Sequence, residues 1–156
     1  MTKETMNYTK RFLATALGLA ACVPVYGQEL PQGVVMLDAA KAQWEKSPTG
    51  ESTKIYGDQT KPGPYLFLTK PRPGQSIASK PHTHPDTRTY TVISGTWYVG
   101  FGDKFDESKL IALPAGSYYT EPAGVAHFIL IKDEGVVVQI GGTGPSRLIP
   151  GDAAKK

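Results

Sequence analysis

The breaks in this chain constrain it most. From residue 65 onward, runs of five to eight residues such as "YLFLTK", "SIASK", "TRTYTVIS", "TWYVGFG", "KLIALP", "SYYTE", "AHFILIK" and "GVVVQIGG" alternate with "PRPG", "SG", "GDKFDES", "PAG", "PAG" and "KDEG". Each run is short for a helix, and most are rich in β-branched and aromatic residues; the separators supply the backbone freedom or rigidity of turns. Eight such strands at this spacing predict an all-β sandwich or small barrel. No sustained helical period separates them, so a parallel α/β sheet is not expected. "ISGTW" reads as a tight hairpin and "GDQTKPGP" as a loop.

The N-terminus reads differently. Lys10 and Arg11 precede an apolar stretch, Phe12 to Val23, that is shorter than the roughly 20 residues a membrane helix needs. With Pro24 and the small Gly27 behind it, residues 1–27 are expected to be a secretory signal peptide and the protein to be periplasmic or secreted. "LAAC" also offers a lipidation site, so anchoring through Cys22 is the alternative. Cys22 is the one cysteine of the chain. A domain beginning at Gln28 therefore has no disulfide and no thiol chemistry, and any metal ligands must be His or carboxylate. Loss of residues 1–27 leaves 14 Lys and Arg against 13 Asp and Glu, a net +1, compared with +3 for the whole chain. With no basic run, nothing argues for nucleic acid as a partner. The expected organisation is an N-terminal arm over 28–60, a β-domain over 61–150 and a loose tail over 151–156. Within the arm, "VVMLDAAKAQWEKSPTG" reads as a short strand and then a helical turn, with Asp38 as N-cap, Pro48 as the stop and Trp44 as a packing residue.

The chain holds three histidines. His82 and His84 stand two apart, so on a strand they project from the same face. A third ligand from another strand, His127, could complete one face of a divalent transition metal such as Fe, Mn, Ni or Zn, leaving positions open for catalysis. Alone, H-x-H is a weak signal, and the three could be unrelated residues in polar loops.

Their surroundings resemble the cupin superfamily. The first cupin motif runs glycine, H-x-H, glutamate, glycine, and this chain matches it with Gly74, His82, His84 and Gly95, the glycine lead-in being longer than usual. The second motif, G-x5-P-x-G-x2-H-x3-N, is matched by Gly116, Pro122, Gly124 and His127, with Ile131 in place of the asparagine. The resemblance covers roughly residues 60–145, and the flanking segments look like small one-domain bacterial cupins. It implies a single cupin jelly-roll β-barrel with the metal inside, often as a homodimer.

One departure matters. The motif's glutamate, a metal ligand in the family, is Arg88 here. A guanidinium has no lone pair to give a metal. Three arrangements remain open: a three-histidine site, a site in which another carboxylate takes over, or a site that has lost its metal and binds an anion. Glu121, just before the motif proline, is the best replacement carboxylate; Asp86 lies in the turn "HPDT" and reads as solvated. Arg88 could orient an acidic substrate or simply turn outward or form an ion pair, and Glu121 could ligate, move protons or sit at a strand end. Phe67, Tyr90, Trp97 and Phe128 are candidate lining residues, and one of Tyr118 and Tyr119 must face inward by alternation. The functional expectation is a small metal-dependent enzyme of dioxygenase or isomerase/lyase type, acting on a small and acidic molecule. The alternative is a non-catalytic module that binds a ligand or metal. An internal Arg88–Glu121 ion pair in a barrel kept for structure ranks last, because burying such a pair is costly.

Overall fold

The computed structural model describes residues 31–38, 41–74 and 77–151. The expected signal peptide, Cys22 and all but the first residue of the expected tail lie outside them. No helix among the described residues is long and apolar enough to cross a membrane.

The described residues form eleven strands: β1 Glu45–Ser47, β2 Gly50–Tyr56, β3 Gly63–Pro71, β4 His82–Thr83, β5 Arg88–Ser94, β6 Thr96–Phe101, β7 Ile111–Pro114, β8 Tyr118–Glu121, β9 His127–Leu130, β10 Val137–Gly144 and β11 Ile149–Pro150. They make two antiparallel sheets. The larger has the order β1-β2-β3-β10-β5-β8, the smaller β11-β4-β9-β6-β7. This is the all-β arrangement expected from the breaks and the jelly roll that the cupin resemblance implies, with the two layers not closed into a continuous barrel.

The layers meet through alternation. The inward residues of β5 are Arg88, Tyr90 and Val92, those of β6 Trp97 and Val99, and those of β10 Val138 and Ile140. With Ile129, Ile131 and Val136 they form the apolar core. At about 25 cal/mol per Å² of buried apolar surface, this shared interior is the main source of stability for a domain that expects no disulfide.

Four local expectations need correction. "ISGTW" is not a hairpin. β5 pairs with β10 and β8, whereas β6 pairs with β7 and β9, so the chain crosses from one layer to the other at Gly95. Gly95 takes φ +71°, and a Cβ there would lie 2.9 Å from Val136 Cγ2, so both conformation and space require glycine. The second correction concerns residues 77–79, within "SIASK", which form a single 3-10 turn rather than a strand. Third, the arm has no strand over 34–38 and no helical turn ended by Pro48. Lys41 N–H does donate to the Asp38 carbonyl at 2.9 Å, but Glu45–Ser47 is extended, and Pro48 and Thr49 turn it back onto β2. Pairing with β2 outweighs the helix propensity of "AKAQWEK". Fourth, the sequence reading missed β1, β2 and the short β11. Trp44 packs as expected for this region, under Lys70 Nζ at 3.5 Å from its ring centre.

Candidate metal centre

The smaller sheet supplies the three histidines. His82 in β4 is the cross-strand partner of His127 at the start of β9. His84 follows one residue after β4 ends, and its carbonyl accepts the N–H of Gly124 at 2.9 Å, which ties the two motifs together. Gly124 has φ +75°, so the turn that delivers His127 is built on a residue free to adopt it. The rings are close: His82 and His127 are 4.3 Å apart centre to centre, His82 and His84 5.1 Å, and His84 and His127 5.3 Å. All three are buried, and one ligand atom from each lies within 4.8 Å of the others.

Each ring is locked by its Nδ1. That atom bonds the Lys80 carbonyl in His82 at 2.8 Å, the Arg147 carbonyl in His84 at 2.8 Å and the Val125 carbonyl in His127 at 3.0 Å. A carbonyl can only accept, so Nδ1 carries the hydrogen and Nε2 keeps the lone pair on all three rings. Burial pushes the imidazolium values down, to about 4 in His82 and about 3 in His84, with the neighbouring Arg88 charge adding to the shift in both. His127 is lowered for the same first reason. The three are neutral near pH 7, the form that binds metal.

The larger sheet supplies the charged residues. Glu121 in β8 is the cross-strand partner of Arg88 in β5. Glu121 is 1% exposed, so it is no surface strand end. Its Oε1 accepts from the Tyr119 hydroxyl at 3.0 Å, and that hydroxyl accepts from Trp97 Nε1 at 2.8 Å. Tyr119 is therefore the inward residue of its pair, while Tyr118 is exposed. Burial raises the Glu121 carboxyl to about 7, against the pull of its Tyr90 and Tyr119 hydrogen bonds and the Arg88 charge.

Glu121 Oε2 lies 3.2 Å from His127 Nε2, yet both atoms are buried without a hydrogen-bond partner. Two lone-pair atoms facing each other need a proton or a cation between them. Ligands at about 2.1 Å from a shared ion lie roughly 3–4 Å apart, so the 3.2 Å separation suits two members of one coordination sphere. The three imidazoles therefore fit a divalent metal, with the Glu121 carboxylate beside one of them.

Arg88 points inward and bonds neither a metal-binding atom nor Glu121. Its Nε and Nη2 donate to Ser146 Oγ at 3.2 and 2.6 Å. The internal Arg88–Glu121 ion pair considered from the sequence is not formed. Asp86, read as solvated, is a correction: its side chain is 8% exposed, with Oδ2 accepting from the Tyr65 hydroxyl at 2.7 Å and Oδ1 at 3.8 Å from Arg88 Nε. The turn in "HPDT" exists, but the Tyr65 hydroxyl draws the carboxylate in.

A cavity of about 340 Å³ opens beside the histidines, with Arg88, Tyr90, Trp97 and Phe67 on its walls. Phe128 is not among them; it faces the other side of its sheet, against Phe105 and over Gly100. The sequence reading missed Ser146 and the Arg147 carbonyl, which hold Arg88 and His84. Residues 58 and 63 positions downstream of their partners give no periodic signal that could have revealed them.

Residues 32–146 match the family described as the ChrR cupin-like domain. No curated protein sequence matches the chain. Among solved structures it is similar to KdgF from Halomonas sp. at 15% identity and a TM-score of 0.53, covering 69% of this chain and 93% of that one. It is also similar to the polyketide cyclase RemF from Streptomyces resistomycificus, at 13% identity and a TM-score of 0.58, covering 75% and 84%. The Fe(II) form of HppE aligns at 17% identity and a TM-score of 0.53, covering 76% and 64%. At these identities the likeness is one of fold. The two sheets, the two motifs and the family match over 32–146 lead to one assignment: this chain belongs to the ChrR cupin-like family.

Proposed function

We propose that the chain is a small metal-dependent enzyme whose divalent transition metal, Fe, Mn, Ni or Zn, is held by His82, His84 and His127, with Glu121 as a further ligand. One observation carries this reading. All three Nδ1 atoms are bound to carbonyls, one ligand atom of each ring lies within 4.8 Å of the others, and His127 Nε2 faces an unpartnered Glu121 oxygen at 3.2 Å. Bound there, the ion would supply Lewis acidity or oxygen activation. The chain's own residues do the rest. Arg88 attracts the negative group of a small acidic molecule, and the apolar wall packs against its body. Dioxygenase and isomerase or lyase chemistry both suit this arrangement. The crystallised Fe(II) form of HppE offers a precedent for iron on the shared fold. A non-catalytic binding module is the second reading, and the same cavity supports it.

Secretion or export to the periplasm is proposed on the basic and apolar residues of positions 1–27, with lipid anchoring through Cys22 as the alternative. A homodimer is proposed on the exposed Ile93 and Tyr118, which lie on β5 and the sheet-edge strand β8.

The test is metal content by mass spectrometry, on protein purified without a histidine tag, against a His82→Ala/His84→Ala double variant. Near-stoichiometric metal, lost in the variant, is expected. No metal after anaerobic reconstitution with each ion would reject the reading. If metal is found, turnover of a panel of small acids under oxygen would favour the enzyme over the binding module.

A further inference from the structure

The cavity between the sheets has two unlike ends. One carries the histidine trio and Arg88; the other is walled by Phe67, Ile129, Ile131 and Ile140. Phe67 and Tyr90 are the two cross-strand partners of Ile140, so these three form one continuous row on the inner face of the larger sheet. Arg88 stands one inward position along β5 from Tyr90, at the end of that apolar row.

Arg88 is under-used for a buried cation. Its side chain is 9% exposed, and two of its five N–H donors go to one neutral hydroxyl, Ser146 Oγ. Asp86 Oδ1 forms an ion pair with Nε at 3.8 Å, too long for a hydrogen bond, the Tyr90 hydroxyl is a further partner, and Glu121 forms no ion pair with Arg88. The guanidinium faces Asp86 at ion-pair distance without a hydrogen bond to it, and the remaining N–H donors of its planar fork match a second carboxylate. Ser146 is the positioning residue here. By accepting from both Nε and Nη2 it fixes the plane of the fork, and the next residue's carbonyl orients His84. At roughly 30 Å³ for each water-sized group, about 340 Å³ admits on the order of ten such groups.

We infer that the cavity takes a small monocarboxylic acid with an apolar aromatic or branched body, its carboxylate on Arg88 and its body against Phe67 and Ile140. This rests on reading the cavity as the ligand site and gives that ligand a chemistry. Acids that are polar throughout, such as short dicarboxylates, leave the Phe67–Ile140 wall uncovered. Apolar molecules without an acid leave the remaining Arg88 donors without an acceptor.

The test is calorimetric titration of the purified protein with phenylacetate, phenylacetamide, acetate and phenyl phosphate, with metal content measured on the same samples. Phenylacetate is expected to bind at least tenfold more tightly than the amide or acetate. Arg88→Gln should erase the preference for acid over amide while leaving metal content unchanged, and Phe67→Ala should shrink the gap between phenylacetate and acetate. Equal binding of acid and amide, or a preference that survives Arg88→Gln, would overturn the inference and leave the metal site standing. Tighter binding of phenyl phosphate would overturn the carboxylate class. Metal-free protein that keeps an Arg88-dependent acid preference would support the inference and reject the metal reading alone. Thermal melting confirms that Arg88→Gln is folded. If that variant does not fold, the acid–amide comparison on the unaltered protein and the Phe67→Ala variant decide the matter.

Discussion

Along β5 the inward face runs Arg88, Tyr90, Val92, and the neighbouring strand β8 sets Glu121 beside the first and Tyr119 beside the second. Within two inward steps the interior changes from charged to apolar. At the apolar end Val92, Val99, Val136 and Val138 are each no more than 1% exposed and satisfy the ordinary rules of a core. At the other end Asp86 Oδ1, Glu121 Oε2 and His127 Nε2 are buried without hydrogen-bond partners. An unmet buried polar atom costs about 1–3 kcal/mol. The apolar end is organised to hold the sheets together; the polar end is organised to receive something. Local rules fail where a ligand or ion is meant to complete them.

Each prediction loads one end and leaves the other alone. The largest effect belongs to apolar packing on the outer side of the smaller sheet, next to His127 in the chain but facing away from the cavity. Phe128 is fully buried against Phe105, away from the cavity. Phe128→Ala should cost about 3–5 kcal/mol in urea unfolding, while metal bound per folded molecule stays constant. Loss of metal at full folding would break the separation of the two ends. At the polar end, Glu121→Gln should weaken metal binding tenfold or more in chelator competition, as expected for a lost ligand or its close support. Stability of the metal-free protein should hold or rise, because the buried acid is gone. An unchanged metal affinity would remove Glu121 from the coordination sphere.

The smallest effect is the pH dependence of the metal-free protein. His82 and His84 have folded values of about 4 and 3, below the ordinary 6.5, so the unfolded chain takes up protons that the folded one refuses. Their contribution is complete above pH 6.5 and is lost as pH falls toward 3. Glu121 runs the opposite way. Its folded value of about 7 exceeds 4.5, so its contribution is complete below pH 4.5 and is lost as pH rises toward 7. Glu121→Gln should therefore stabilise the metal-free protein at pH 8 more than at pH 4, as read by urea midpoints. An equal shift at both values would mean that Glu121 is not the group titrating.

The fold class was legible because turn residues and short β-branched runs are local signals. The three histidines were legible through their two motifs, although Arg88 in the glutamate position left the ligand set open. The sheet switch at Gly95 was not legible. A glycine between two strands looks the same whether the strands pair or part, and only the partners of β5 and β6 decide. The inward burial of Asp86 depends on the Tyr65 hydroxyl, 21 residues away. Ser146 is held by its own N–H to the Gln59 carbonyl at 2.6 Å and by Arg88, contacts with no sequence period to betray them. What could be read was local or periodic; what escaped was set by long-range pairing.

The central claim is that the three Nε2 atoms and Glu121 share one ion. The most direct test is a crystal of metal-loaded protein measured at the absorption edge of that metal. The account predicts a single anomalous peak within bonding distance of His82, His84 and His127 Nε2, next to Glu121 Oε2, with the three Nδ1–carbonyl bonds retained. A peak elsewhere, or rings turned so that Nδ1 faces the ion, would contradict it.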